Sequence, residues 1–200
     1  MDVQELRPGL WRWTAPHPEW EHAENWGPEV GSVYAELPEA VVVIDPLVPT
    51  EEDEQFWSAL DRDIERLARP VHVLLTVHWH ERSVAAVLDR YRAKLWRPEQ
   101  RGELPGGVQA EVVRGSDWAE ALFYLEPQRA LVAGDLLIGE DSGIALPIRW
   151  FPKGEQEWAE TTLKPELRQR LDKLPIELVL VSHGEPVLTD GRAALDRALS

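Results

Sequence analysis

Two hundred residues with 44% hydrophobic side chains suffice for one domain with a sizeable core. A formal net charge of −15 argues against nucleic acid or an anionic membrane as a main partner, because phosphate recognition needs a basic face. The lack of cysteine excludes disulfides, thiolate metal sites and cysteine nucleophiles, and no apolar run reaches the ~18 residues of a spanning helix or a signal-peptide core, so a cytoplasmic protein is expected.

Leu10-Trp11-Arg12-Trp13-Thr14 alternates and reads as an opening strand. The segment from Ala15 to Gly31, rich in proline and carrying His17, His22, Trp20 and Trp26, reads as a long loop, a feature that is usually functional in a compact domain. Ser32 to Leu37 is a second strand, and Val41 to Ile44 is a buried strand ending at Asp45-Pro46. Thr50 is the expected cap of a helix whose first turn is acidic, where negative charge suits the helix dipole. Phe56, Leu60, Ile64 and Leu67 recur on one face of it, and Arg69-Pro70 closes it.

Val71 to Val77 predicts a buried strand, and Val84 to Leu95 a helix with Ala85, Val87, Leu88 and Tyr91 inward. Val108 to Val113 alternates. Ala121 to Leu125 and Ala130 to Ala133 read as a hairpin through Glu126-Pro127-Gln128. Gln156 to Leu174 reads as helical with Pro165 interrupting it, Ile176 to Val181 as a last buried strand, and Ala193 to Leu199 as a closing helix. Strands and helices interleave without a repeat or a low-complexity linker, which predicts a single α/β domain over residues 1–200. Ten tryptophans suit either core packing or an aromatic-lined mouth, with Trp79 the best candidate for the mouth.

Three polar groups follow apolar strands: Thr76 to Ser83, Gly134-Asp135, and Ser182-His183-Gly184. Strand C-termini in layered α/β folds gather at one edge, where sites are commonly built. Within the first group, His78-Trp79-His80 sets two imidazoles two residues apart, within reach of one metal ion.

This ordered conjunction resembles the metallo-β-lactamase-fold superfamily, in its glyoxalase II-like and lactonase-like branches. Leu75-Thr76-Val77-His78-Trp79-His80-Glu81-Arg82-Ser83 is similar to the family's His-x-His-x-Asp-His motif, with one extra residue after the threonine. Ala133-Gly134-Asp135 resembles its Gly-Asp strand end, Ser182-His183-Gly184 its late His-Gly motif, and Val43-Ile44-Asp45-Pro46 its early strand ending in aspartate. The resemblance implies an αββα sandwich of two mixed sheets, helices outside, and a metal-dependent hydrolytic site between the sheets.

The chain also departs from the family pattern. Arg82 and Ser83 stand where the family has an aspartate and a third histidine, and Ser116 where it has its middle histidine. A register without the extra residue would instead set Val77 and Trp79 on the histidine positions. The first register keeps both histidines.

By resemblance, His78, His80 and Asp135 would hold at most one ion, zinc or else iron or manganese, with His183 as fourth ligand or acid/base. Glu81 is a helper and Arg82 the group that orients a substrate anion. The alternative is a metal-free, non-catalytic member in which an Arg82–Asp135 pair replaces the metal and the pocket binds a small molecule or a partner. The expected partner of the enzyme reading is a small-molecule substrate. Asp45 reads as a structural acceptor near the site, and His17 and His22 as solvated loop histidines.

Overall fold

A computed structural model of the chain describes residues 2–22, 25–100 and 102–200. It opens as an antiparallel meander of β1 (Asp2–Arg7), β2 (Leu10–Pro16), β3 (Glu29–Glu36) and β4 (Val41–Ile44). Helix α1 (Asp53–Leu67) crosses to β5 (Val71–Leu74), and α2 (Val84–Tyr91) crosses to β6 (Lys94–Trp96). These strands form a sheet in the order β1-β2-β3-β4-β5-β6, in which β4, β5 and β6 run parallel.

The second half supplies β7 (Val108–Arg114), β8 (Ala119–Leu125), β9 (Ala130–Ala133), the short hairpin β10 (Ile138–Glu140) and β11 (Gly143–Ala145), and β12 (Leu178–Val181). Its sheet has the order β12-β9-β8-β7, with β12 parallel to β9. Helix α3 (Gln156–Trp158), a π turn (Ala159–Leu163), α4 (Lys164–Leu171) and α5 (Gly191–Ala198) complete it.

Burial explains the layering. Ala35, Ile44 and Leu74 of the first sheet meet Ala121, Phe123, Val132 and Leu180 of the second in one apolar cluster. On the outer face of the first sheet, Phe56 and Leu60 of α1 cover Val41, Val43 and Val71, and Val84 and Val87 of α2 cover Val73 and Leu75. Each such buried side chain contributes about 1.5–3 kcal/mol relative to exposure. Leu163, Leu167, Leu171 and Leu195 cover the second sheet's outer face. The result is the expected αββα sandwich.

Several boundaries depart from expectation for local reasons. Strand β1 is largely exposed, so it carries no apolar alternation to announce it. The loop after β2 is shorter than Ala15 to Gly31, because β2 reaches Pro16 and β3 begins at Glu29. Helix α2 stops at Tyr91 rather than Leu95. Arg92 takes a left-handed conformation, which frees Lys94–Trp96 to pair with β5 and packs Trp96 on Phe123. Pro165 has no N–H to give to the preceding turn, and the chain answers with the π turn just before it rather than a break. Helix α1 begins at Asp53, without a side-chain cap from Thr50. Among the described residues no helix is long and apolar enough to cross a membrane.

Candidate active site

Strand register builds the site. In the parallel pair β9–β12, Ala133 stands opposite Val181, so Asp135 and His183, each two residues further on, emerge side by side. In the pair β4–β5, Ile44 stands opposite Leu74, which brings Asp45 next to Thr76. Backbone hydrogen bonds then join the sheets at this end: Ala121 N donates to Thr76 O at 2.8 Å and Gly31 N to Ser182 O at 2.7 Å.

β5 ends at Leu74, three residues before the predicted limit, and the chain turns through a 3₁₀ helix at His78–Glu81. This turn separates the two predicted ligands. His80 points inward, its side chain only 4% exposed, whereas the His78 side chain is 52% exposed and faces Glu99 at 3.8 Å. His78 therefore stands outside the buried cluster, contrary to the His-x-His expectation. The cluster is His80, Asp135 and His183, whose candidate ligand atoms all lie within 4.8 Å of one another.

His80 is fixed from behind. Its Nδ1 lies 2.9 Å from Asp45 Oδ2, and Asp45 also accepts from Thr76 N at 2.9 Å and from the Thr76 hydroxyl. A proton on Nδ1 directed at Asp45 leaves Nε2 as the free lone pair, the arrangement in which a carboxylate orients a metal-binding imidazole. Asp135 Oδ1 lies 3.3 Å from His80 Nε2 and 3.2 Å from His183 Nε2. Both are ion-pair distances, and this buried oxygen faces the two imidazole nitrogens at once without a hydrogen bond of ordinary geometry to either. Asp135 Oδ2 is held by Trp79 Nε1 at 2.7 Å.

The electrostatics are strongly coupled. Burial and the Arg82 charge oppose protonation of His80, but Asp135 and Asp45 outweigh them and push it up to about 9. Burial works to raise Asp135, yet the His80 charge and the His183 contact override it and hold the carboxyl well below the usual carboxylate range. Burial dominates at His183 and lowers it.

Arg82 does not pair with Asp135. Its Nη1 donates to the carbonyls of Gly31 and Asp45, both at 3.2 Å, and its Nε is buried without a partner. Arg82 and Asp45 both adopt positive φ, 27° and 48°, strained for non-glycine residues and typical of functional sites. Glu81 is exposed and bound to Arg97, away from the cluster. Ser116 brings no ligand inward: its hydroxyl donates to Asp117 at 3.1 Å and its N–H to Glu155 at 2.7 Å.

Glu120 is the site residue that sequence reasoning missed. It is 2% exposed at the start of β8, and its Oε1 accepts from Gly134 N at 3.1 Å and Leu136 N at 2.9 Å, the two residues flanking Asp135. Burial and the Asp135 charge raise its carboxyl well above the usual range. An acid between Ala119 and Ala121 in an otherwise apolar strand was its one visible signal.

A cleft of about 420 Å³ bounded by Trp79, Trp118, Glu120, Asp135, Trp150 and Phe151 adjoins a second of about 360 Å³ on the other side of Trp79, where Trp26, Arg82 and His183 stand. Trp79, 49% exposed, lines both, as do Asp135 and Trp150. Trp79 lines the mouth as expected, and Trp26, Trp118 and Trp150, expected as packing residues, line it as well.

The fold, with this site at one end of the sandwich, is that of the metallo-β-lactamases. Solved structures similar to the chain include a metallo-β-lactamase from Pontibacter korlensis, with 17% identity over 99% of this chain and 96% of that one and a TM-score of 0.55. A β-lactamase domain protein from Burkholderia ambifaria matches with 17% identity over 98% and 74% of the two chains and a TM-score of 0.59. The metallo-β-lactamase FIM-1 from Pseudomonas aeruginosa, in its mono-zinc form, matches with 14% identity over 99% and 96% and a TM-score of 0.58. At such identities the likeness establishes the fold alone. No protein-family model and no curated protein matches the chain.

Proposed function

We propose that the chain is a hydrolase-like protein of the metallo-β-lactamase fold that holds one divalent metal ion between His80 Nε2, Asp135 Oδ1 and His183 Nε2, and acts on a small molecule in the tryptophan-lined cleft. One observation carries this reading. Three ligand atoms converge while Asp135 Oδ1 lacks a directed partner and His80 is oriented from behind by Asp45. Two imidazoles and a carboxylate suit zinc, or iron or manganese with open positions. That the similar FIM-1 structure is a mono-zinc form supports a single ion.

An ion held there supplies Lewis-acid chemistry. The chain's own residues do the rest. Trp79 Nε1 fixes the free edge of Asp135, Asp45 fixes the tautomer of His80, and Glu120 keeps a proton beside Asp135. Arg82 adds a fixed positive charge for a substrate anion. Metal content of protein purified without chelator tests the reading. About one equivalent of zinc, iron or manganese is expected, and only trace metal would sink it.

A metal-free binding module is the second reading, favoured by the Trp79 hydrogen bond to Asp135 and by the Arg82 cation already beside the cluster. It predicts a folded, ligand-binding protein without metal.

A further inference from the structure

The larger cleft presents aromatic rings and negative charge. Trp79, Trp118, Trp150 and Phe151 line it, and the Trp118 and Phe151 rings meet at 69° with centroids 5.7 Å apart, so these two walls form a corner. None of the three indole N–H groups is left for a ligand. Trp79 Nε1 donates to Asp135 at 2.7 Å, Trp118 Nε1 donates to Glu155 at 2.8 Å, and Trp150 Nε1 is buried away from the opening. These side chains therefore offer ring carbon with its negative face.

The ionisable groups point the same way. The described lining residues include Asp117, Glu120 and Asp135, but no lysine or arginine. The raised His80 balances Asp135, and burial keeps the proton on Glu120, so neither acid adds net charge at neutral pH. Asp117 remains. It is exposed, and among the described residues its carboxylate is met only by the Ser116 hydroxyl, at 3.1 Å. The arginines of the neighbouring surface are engaged elsewhere: Arg97 with Glu81, Arg114 with the carbonyl of Pro98 at 2.9 Å, and Arg149 with Glu140 at 3.3 Å. Arg82 lines the smaller cleft, and His78 faces Glu99 at 3.8 Å.

We propose that the larger cleft recognises an organic cation, a substrate that carries a tertiary or quaternary ammonium group. A cation over the face of an aromatic ring is attracted by the ring's quadrupole, most strongly at tryptophan. Rings on several sides of one space suit an ammonium clothed in carbon. A primary ammonium has three N–H donors to satisfy, and the carboxylate of Asp117 is the one ionised acceptor here that is not already balanced. Asp117 adds the charge attraction that a neutral body would not gain. The net charge of −15 on the whole chain acts in the same sense, because it raises the local concentration of cations. About 420 Å³ is within the range of small-molecule sites. The inference deepens the proposed function and rests on it in one respect: this cleft is taken as the place where the substrate of His80, Asp135 and His183 lies.

Isothermal titration calorimetry with choline, against dimethylbutanol in which carbon replaces the ammonium nitrogen, tests it on the protein as purified and after chelator treatment. The two probes share shape and hydroxyl and differ in charge. Choline should bind at least about fivefold tighter, the range expected of a cation held against aromatic rings. It should keep that preference after chelation, because the rings and Asp117 belong to the chain. Asp117→Asn, at an exposed position, should cut the preference severalfold and leave dimethylbutanol binding unchanged. Trp79→Leu keeps apolar bulk and removes a ring face, and should weaken choline more than dimethylbutanol. Equal binding of the two probes, tighter binding of the alcohol, or a preference unchanged in both variants would overturn the inference. Metal content is read on the same samples. Trace metal with the choline preference intact defeats only the metal proposal, and about one equivalent of metal without the preference defeats only this one.

Discussion

Asp45 Oδ2 lies 2.9 Å from His80 Nδ1, joining the end of β4 to the turn after β5. Asp45 simultaneously holds the Thr76 backbone and hydroxyl. Asn tolerates the positive φ of this position and matches the aspartate in shape, so Asp45→Asn isolates the charge. We expect it to cost about 1–3 kcal/mol in a urea melt, the penalty for mispaired buried groups. Zinc affinity, read by competition with a chromophoric chelator, should fall about 10–100-fold, as for other residues that orient a metal-binding imidazole. An unchanged affinity would show that His80 is not oriented by this carboxylate.

His183 is positioned by a close backbone approach. Gly139 N donates to His183 O at 2.8 Å, and a Cβ on Gly184 would lie 2.1 Å from Gly139 O, with φ at +79°. Gly184→Ala therefore combines a left-handed penalty of about 1–2 kcal/mol with a clash against backbone that cannot yield easily. A loss of about 2–4 kcal/mol is expected. Gly106→Ala, with nothing within 4 Å of its new Cβ, should stay within about 0.5 kcal/mol of wild type. Equal urea midpoints for the two variants would contradict the packing described at this strand end.

The strands of the sandwich were legible because buried strands announce themselves: Val41 to Ile44, Ala130 to Ala133 and the end of the last strand are apolar runs followed by turn residues. Parallel register then turned legible strand ends into a legible pair, Asp135 and His183. The His80 environment was not legible in full. Spacing suggests that His78 and His80 act together, but a 3₁₀ turn rotates neighbours two apart to different sides, and nothing in Val77-His78-Trp79-His80 signals where β5 stops. Arg82 was recognised as the cation of the site, yet its partners are the carbonyls of Gly31 and Asp45. Main-chain acceptors leave no mark in a sequence. Glu120 and Trp150 enter the site through long-range packing, which local pattern does not encode.

The buried carboxyl of Glu120 sets a pH dependence of stability. Its folded-state value is raised, so the unfolded chain releases this proton first as pH rises. The stability it contributes is fully present below about 4.5, the ordinary range of a glutamate, and is lost as pH rises towards its folded value. His80, pushed up to about 9, acts in the same direction between about 6.5 and 9. Asp135, held low, acts oppositely and is lost only in acid. Metal-free protein should thus be less stable at pH 8.5 than at pH 6. Glu120→Gln keeps an acceptor for Gly134 N and Leu136 N and removes the titration. It should flatten the slope above about pH 4.5 by up to about 1.4 kcal/mol per pH unit, measured by urea denaturation. A slope identical to wild type would mean that Glu120 is ionised in the folded state.

His78 and His183 provide the sharpest contrast, because sequence spacing favours the first as a partner of His80 and the folded chain favours the second. The His78 side chain is 52% exposed and lies near Glu99, while that of His183 is 9% exposed and 3.2 Å from Asp135. His78→Ala should change stability by no more than about 0.5 kcal/mol, the usual effect at an exposed position. It should also leave the metal content of purified protein unchanged. His183→Ala should remove most bound metal, since two remaining ligands hold an ion poorly. It should also leave Asp135 Oδ1 facing only His80. Metal lost from the His78 variant and retained by the His183 variant would restore the His-x-His pair as the ligand set and reject the site built on His80, Asp135 and His183.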